Sequence, residues 1–176
     1  MKIFWAEGFD GASVDLLARE TGMPRATLYQ VYADKEGLFL AAVAHYAGTR
    51  TARVGAALRQ GGNLRDDLAA FFSAVIELAT SEPKARGCLI SCVLADAAGT
   101  NPRFRAELER RFLALENRIR ERLEAAGPEA GDIPARAVMI AAIARGLMLR
   151  ARAGAGRDFL EQAAAEAVRV LAPPRH

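Results

Sequence analysis

Apolar residues recur every three or four positions along most of this 176-residue chain, and no other feature constrains the fold as strongly. Leu64, Leu68, Phe71, Val75 and Ile76 form one such stripe, which would lie along one face of a helix. Short segments rich in Gly, Pro or Asn separate the stripes, as helix ends do. No segment alternates apolar and polar residues as a half-buried strand does. The pattern predicts an all-α fold of about nine helices.

Composition agrees with packed helices and narrows the class of protein. Hydrophobic residues make up 52% of the chain and aromatic residues only 7%, which favours closely packed helices over a β-sandwich or barrel. Every apolar run is shorter than the roughly 18 residues needed to span a bilayer. Acidic residues come too early for a signal peptide, so we expect a cytoplasmic protein.

Residues 4–38 predict two short helices joined by a tight turn. Ser13 is placed to cap the first helix, and Gly22 to end it in a left-handed conformation. The second helix would run from Pro24 to Tyr32. This arrangement is a helix-turn-helix, whose second helix lies in the major groove of DNA. The proposed recognition helix carries Arg25 and no acidic residue, which suits a surface facing phosphates.

Net charge does not support DNA binding. Residues 1–50 contain five Lys and Arg against six Asp and Glu, a net charge of −1, whereas residues 51–176 contain nineteen against fifteen, a net charge of +4. A nucleic-acid module usually has a basic footprint. The prediction therefore depends on the local arrangement of residues.

The same stretch resembles the DNA-binding signature of TetR-family regulators. The resemblance is carried by the following residues at the family's spacing: Phe4, Gly8-Phe9, Ser13-Val14, Leu17-Ala18, Gly22, Ala26-Thr27-Leu28-Tyr29, Tyr32, Lys35-Glu36 and Leu38. It implies an N-terminal helix-turn-helix domain, residues 1–47, and a C-terminal ligand-binding and dimerisation domain, residues 48–176. Leu17, Leu28 and Tyr32 are expected in the core.

The resemblance also implies which residues meet double-stranded operator DNA. Ser13 and Lys35 would bind phosphates, and Tyr29 would pack on the sugar-phosphate backbone. Arg25, Thr27 and Gln30 would reach bases or phosphates, beside Ala26. Val31 replaces the histidine common in the family, which removes one phosphate contact.

The resemblance implies a longer first helix preceded by a basic arm, whereas Met1 lies only two turns before Gly8-Phe9, so either the helix starts upstream or the protein does without the arm. Ile3, Phe4 and Trp5 resemble the end of a longer packed helix, so we expect a helix that starts upstream of Met1. A missing basic arm would weaken DNA binding.

The C-terminal part predicts a partner surface, and the resemblance adds a ligand pocket. Segments 134–152 and 157–171 are apolar or small on most faces, which favours a homodimer interface. The resemblance implies a pocket for an unidentified small molecule, with Phe72, Val75, Cys92, Phe112 and Met139 as candidate lining residues. We expect no cofactor.

Cys88 and Cys92 lie four residues apart and raise a metal or redox alternative. Structural zinc needs four ligands, and the two histidines, His45 and His176, are distant in sequence, so we expect no metal site. A two-thiolate copper(I) site and a redox switch are left as alternatives, although buried free cysteines usually act as small hydrophobic residues.

The sequence thus predicts a repressor that a small molecule releases from a pseudo-palindromic operator. The alternative is a helical small-molecule, metal or thiol sensor that does not bind DNA. An enzyme is disfavoured, because the chain lacks any Ser-His-Asp, Cys-His or paired-carboxylate arrangement.

Overall fold

The computed structural model describes residues 1–58, 62–127 and 132–173, and all regular structure in these ranges is helical. This confirms the all-α prediction. The elements are α1 (Lys2–Gly11), α2 (Val14–Thr21), α3 (Arg25–Tyr32), α4 (Lys35–Tyr46), a π-helical segment (Ala47–Thr51), α5 (Ala52–Ala56), α6 (Leu64–Thr80), a second π-helical segment (Leu89–Leu94), α7 (Ala95–Ala97), α8 (Pro102–Ala125), α9 (Ile133–Arg152) and α10 (Arg157–Leu171). None of these helices combines the length and apolar character needed to cross a membrane.

The predicted helix-turn-helix is formed by α2 and α3. The Ser13 hydroxyl accepts a hydrogen bond from the Leu16 N–H at 3.2 Å and caps α2. Gly22 ends α2 with φ 67°, a left-handed conformation that side chains other than glycine rarely adopt. Pro24 is the N-cap of α3, one position earlier than the first-turn role we predicted, because its ψ of 147° is extended.

Two π-helical segments interrupt the expected α-helices. The sequence after Asp34 predicts one long helix that ends near Arg59, and a helix does begin after an Asp34 cap, whose carboxylate accepts from the Gly37 N–H at 2.6 Å. It then passes through the first π segment, and its predicted end near Arg59 lies outside the described residues. The proposed domain boundary at residue 47 falls within this continuous rod and stays a prediction.

An aromatic cluster joins the N-terminal helices to the rest of the chain. The Phe39 ring of α4 contacts Phe9 from α1 and Phe104 from α8, at centroid distances of 5.2 and 5.1 Å. Phe9 and Phe104 also meet edge to face at 4.9 Å. Such pairs stabilise by roughly 0.5–1.5 kcal/mol beyond their buried area. The start of α8 is therefore fixed against α1 and α4.

Polar contacts reinforce this connection. The Asn101 side chain, at the start of α8, donates to a Glu36 carboxylate oxygen at 2.7 Å, and Arg103 donates to the other oxygen at 2.8 Å. Arg152, at the end of α9, donates to the Trp5 carbonyl of α1 at 2.9 Å. Thus α8 holds α4 and α9 holds α1, the two helices that flank the helix-turn-helix.

One buried ion pair joins α6 to α8. Arg122 Nε lies 2.6 Å from a carboxylate oxygen of Asp67, and both side chains are almost fully buried. Arg122 also donates to the Gly62 carbonyl at 2.7 Å. Each charge depends on the other, because an unpaired ion in this environment would lack both water and a partner.

Replacing Asp67 with Ala should therefore lower the free energy of unfolding by about 3–5 kcal/mol, since it leaves the Arg122 guanidinium buried without its counter-ion. The measurement is urea denaturation at one fixed protein concentration. Glu124→Ala is the matched control, because it removes a carboxylate from the exposed ion pair between Glu124 and Arg120, both on α8. This change should alter the free energy of unfolding little. Equal effects of the two variants would contradict a structural role for the buried pair.

Candidate nucleic-acid interface and ligand cavity

The recognition helix α3 turns one side inward and leaves the other exposed. Leu28 is 2% exposed, as predicted for a core residue, and Tyr32 packs against the core while remaining partly exposed. The exposed side carries Arg25, Ala26, Tyr29, Gln30 and Val31, with Thr27 half-buried beside them. This surface has no acidic residue of its own, so it can approach a phosphate backbone.

Arg25 is ion-paired with Asp15 of α2, and both side chains are largely exposed. The pair bridges the first turn of α2 and the first turn of α3, and it holds the guanidinium near the start of the recognition helix. Early residues of a recognition helix are the ones that reach base edges.

The other two predicted phosphate contacts lie at helix starts. Ser13 caps α2, so its hydroxyl stands at the positive end of that helix. Lys35 opens α4, with its ammonium 4.5 Å from the centre of the Phe9 ring and 3.4 Å from the Asp10 carbonyl oxygen. These contacts hold Lys35 in one place beside the helix-turn-helix, and its contact with DNA stays a prediction.

Large hydrophobic side chains are exposed mainly on three helices. Tyr29 and Val31 are exposed on α3, whereas α9 and α10 expose Val138, Met139, Leu149, Phe159 and Val170, each to between 45% and 63%. Leu113 of α8 completes the set found in the described ranges. The five residues of α9 and α10 define an apolar surface, called the α9–α10 surface, that is exposed to solvent in the single chain.

A cavity of about 260 Å³ lies between the rod that follows α4, the second π segment, α8 and α9. Its wall is mainly apolar, with two hydroxyls and three guanidiniums. The lining residues are Ala47, Thr51, Ala52, Val54, Gly55, Cys88, Ile90, Ser91, Arg111, Phe112, Ala114, Leu115, Arg118, Ala144, Arg145 and Met148. Residues from both π segments take part, and π-helical turns are frequent at functional sites.

Of the five residues predicted from sequence to bind a ligand, Phe112 alone lines this cavity. Phe72 and Val75 are fully buried in the core on α6, whereas Met139 is 45% exposed on the outer side of α9. Cys92 is half-buried next to the cavity, and Cys88 lines it instead. The structure places these four elsewhere, so their contact with a ligand stays a prediction that this cavity does not support.

Sequence reasoning missed the three arginines of the cavity. Arg111 and Arg118 lie seven residues apart on α8, next to the apolar stripe that contains Phe112 and Leu115. The signal that could have indicated them is the helical spacing of these cations beside an apolar stripe. Their dense Arg/Glu surroundings on α8 made them look like ordinary solvated charges.

The two cysteines are packed as hydrophobic residues. Cys88 is buried, and the Cys92 sulfur accepts a long hydrogen bond of 3.5 Å from the Cys88 N–H. Burial raises the pKa of the Cys92 thiol above its ordinary value. The described residues contain no cluster of three metal-ligating side chains, His45 is exposed, and His176 lies outside the described ranges.

The arrangement defines a class of protein. A helix-turn-helix with an acid-free recognition helix is fixed, through α8 and α9, to a helical body that encloses a cavity and exposes an apolar surface. One-component transcriptional regulators combine these parts.

Comparison with known proteins identifies the family. Residues 1–42 match the family described as bacterial regulatory proteins, tetR family, and residues 65–166 match the C-terminal domain of LmrA/YxaF-like transcriptional regulators. The second match covers more than half of the chain. The chain therefore belongs to the TetR family of bacterial transcriptional regulators.

Individual relatives agree with this assignment. The HTH-type transcriptional repressor ComR of Escherichia coli strain K12 is 28% identical over 176 residues, spanning 97% of this chain and 84% of ComR. A cysteine mutant of the TetR family regulator CifR, solved in complex with 26-base-pair double-strand operator DNA, is 26% identical. It superposes with a TM-score of 0.85 over 98% of this chain and 92% of CifR.

The raised pKa of Cys92 predicts slow alkylation of the folded chain. Less thiolate is present at pH 8 than in a free cysteine, and the thiolate is the nucleophile, so iodoacetamide should modify Cys92 more slowly in the folded protein than in urea. The measurement is the rate of mass increase between pH 7 and pH 10 in a Cys88→Ala variant. A fast reaction with a pH midpoint below 8 would contradict the burial argument and favour a reactive thiol.

Proposed function

We propose that this chain is a homodimeric repressor, released from a pseudo-palindromic DNA operator by a small molecule. One observation carries the proposal: in the described ranges, all exposed large hydrophobic residues except Leu113 lie on α3, α9 and α10. These are the helices that would meet DNA and a second subunit. The proposed place of action is the cytoplasm, where the DNA of a bacterium lies.

The recognition helix α3 enters the major groove. Arg25, Thr27 and Gln30 reach bases or phosphates from its exposed side, beside Ala26, and Tyr29 packs on the sugar-phosphate backbone. Ser13 and Lys35 bind phosphates from the starts of α2 and α4. Contacts to phosphates fix the register, and the few that reach base edges give specificity. The operator complex of CifR supports this arrangement by similarity.

The α9–α10 surface is the dimer interface, in agreement with the segments 134–152 and 157–171 expected from sequence. An uncovered apolar surface of this kind favours association, and a twofold interface covers it on both subunits at once. Two recognition helices would then face successive major grooves, roughly 34–36 Å apart.

The effector acts from the cavity. The segment from Ala47 to Gly55 and helix α8 both line the cavity. The first continues α4 without a break, and α4 and the start of α8 meet beside the helix-turn-helix through Phe39, Phe104 and the Glu36 contacts. A ligand that changes how these elements pack would change the distance between the two recognition helices. Such coupling typically amounts to about 1–3 kcal/mol. A domain boundary at residues 47 and 48 would lie in this segment.

Binding to DNA from upstream of the chain's own gene tests the DNA-binding role. Fluorescence anisotropy should show competitor-resistant binding, and Arg25→Ala should weaken it by about 1–3 kcal/mol per half-site, because one groove contact is lost in each. Arg120→Ala removes an equal charge from the exposed side of α8 and should leave affinity unchanged. The assignment of α3 fails if both variants bind like the parent chain.

A charge in the α9–α10 surface should dissociate the dimer. Leu149→Glu places a carboxylate in the proposed interface, so sedimentation should show monomer at concentrations where the parent chain is a dimer. Leu113→Glu is the control, because Leu113 is similarly exposed on α8, outside that surface. If Leu149→Glu stays dimeric and Leu113→Glu does not, the interface lies elsewhere.

A further inference from the structure

We propose that the cavity takes a small amphipathic monoanion, with its carboxylate held by Arg118 and Arg145 and its apolar part against α5, α8 and the second π segment. The inference rests on the proposed function, since it names the chemical class of the effector.

The charges around the cavity leave one positive charge without a counter-ion. Arg111, Arg118 and Arg145 line the cavity, and no acidic residue does. Glu107 pairs with Arg111 and Glu116 pairs with Arg145, each at 2.7 Å, from positions behind the wall. Arg118 has no carboxylate within ion-pairing distance among the described residues. Glu107 also pairs with Arg110, which lies outside the cavity wall. Arg118 is thus the arginine of the wall that has no carboxylate partner in the described ranges, and a ligand with one negative charge supplies one.

Arg118 is positioned by a close approach to α5. Its Nε donates to the Gly55 carbonyl at 2.7 Å, while its two terminal nitrogens make no hydrogen bond within the described ranges. A Cβ at residue 55 would lie 3.0 Å from both Cδ and Nε of Arg118, so the absence of a side chain at Gly55 leaves room for this close approach. The free terminal nitrogens can donate in parallel to both oxygens of a carboxylate.

Arg145 offers a second donor. Its guanidinium lies over the Phe112 ring, 3.7 Å from the centre, and one terminal nitrogen is used by Glu116. Its Nε is buried and has no hydrogen-bond partner in the described part of the chain. A buried donor without a partner costs free energy, and an oxygen of a bound anion would satisfy it.

The rest of the wall sets the size and polarity of the ligand. Val54, Ile90, Leu115 and Met148 give an apolar lining, and about 260 Å³ suits a small molecule. Burying an apolar body supplies affinity, whereas the guanidiniums select its charge. A cationic ligand of the same size would be repelled by Arg118.

Isothermal calorimetry with the purified full chain tests the chemical class. The probes are 3-phenylpropanoate and octanoate, each compared with its primary amide, together with 3-phenylpropylamine. The carboxylates should bind at least about tenfold more tightly than their amides, because charge-assisted hydrogen bonds to arginine are lost in the amide. The amine should not bind.

Variants locate the site. Arg118→Gln should abolish the preference for carboxylate over amide, Arg118→Lys should restore part of it, and Arg120→Gln, two residues along α8 and outside the cavity wall, should retain all of it. The melting temperature of each variant without ligand reports whether it is folded. If Arg118→Gln has a much lower melting temperature than the parent chain, the carboxylate preference of Arg118→Lys is compared with that of Arg120→Gln. A weaker preference in Arg118→Lys then locates the site at Arg118.

Equal binding of carboxylates and amides, or binding of neither by the folded parent chain, would overturn the proposal. An equal preference in Arg118→Gln and Arg120→Gln would do so too. Failure of the proposed function is a separate result: carboxylate bound by calorimetry with no change in operator affinity would show that the cavity binds the anion without regulating DNA binding.

Discussion

The contact between Phe9, Phe39 and Phe104 is the constraint on which the structure depends. These rings bring the end of α1, the first turns of α4 and the start of α8 to one point. The helix-turn-helix is too small to bury a large core of its own, and here it completes that core with a residue from the C-terminal part. The N-terminal and C-terminal parts of the chain thus pack against each other, so a displacement of α8 would also displace α4.

The same helix α8 has three tasks along its length. Its start holds Glu36 and the aromatic cluster, its middle lines the cavity, and its last turns hold Asp67 through the buried Arg122. Apolar contacts supply most of the stability, and the ion pair restricts how α6 and α8 can pack. A continuous element of this kind is suited to coupling two sites, because it packs against the groups at both of them.

Much of the fold was predictable, because helical spacing, Ser13 and Gly22 are local signals. The cavity was not. A stripe such as that of Phe72 and Val75 shows that residues are buried, yet it does not show whether they face a cavity or other side chains. Met139 lies on a helix that is apolar nearly all round, so the sequence could not separate its partner-facing side from its inward side. The inward position of Arg118 involves a hydrogen bond to the Gly55 carbonyl, which is distant in sequence.

In the proposed binding mode, in which Arg25 reaches DNA, the exposed ion pair between Asp15 and Arg25 would affect which sequences the recognition helix prefers. Arg25 already has an anionic partner, so meeting DNA is an exchange of one counter-ion for another. A phosphate would replace Asp15 as the counter-ion, so contact with random DNA would gain only the difference between the two pairings. A guanine edge that accepts both guanidinium donors offers more. The carboxylate would thus favour sequences that present a guanine edge to Arg25 over sequences that offer it only a phosphate.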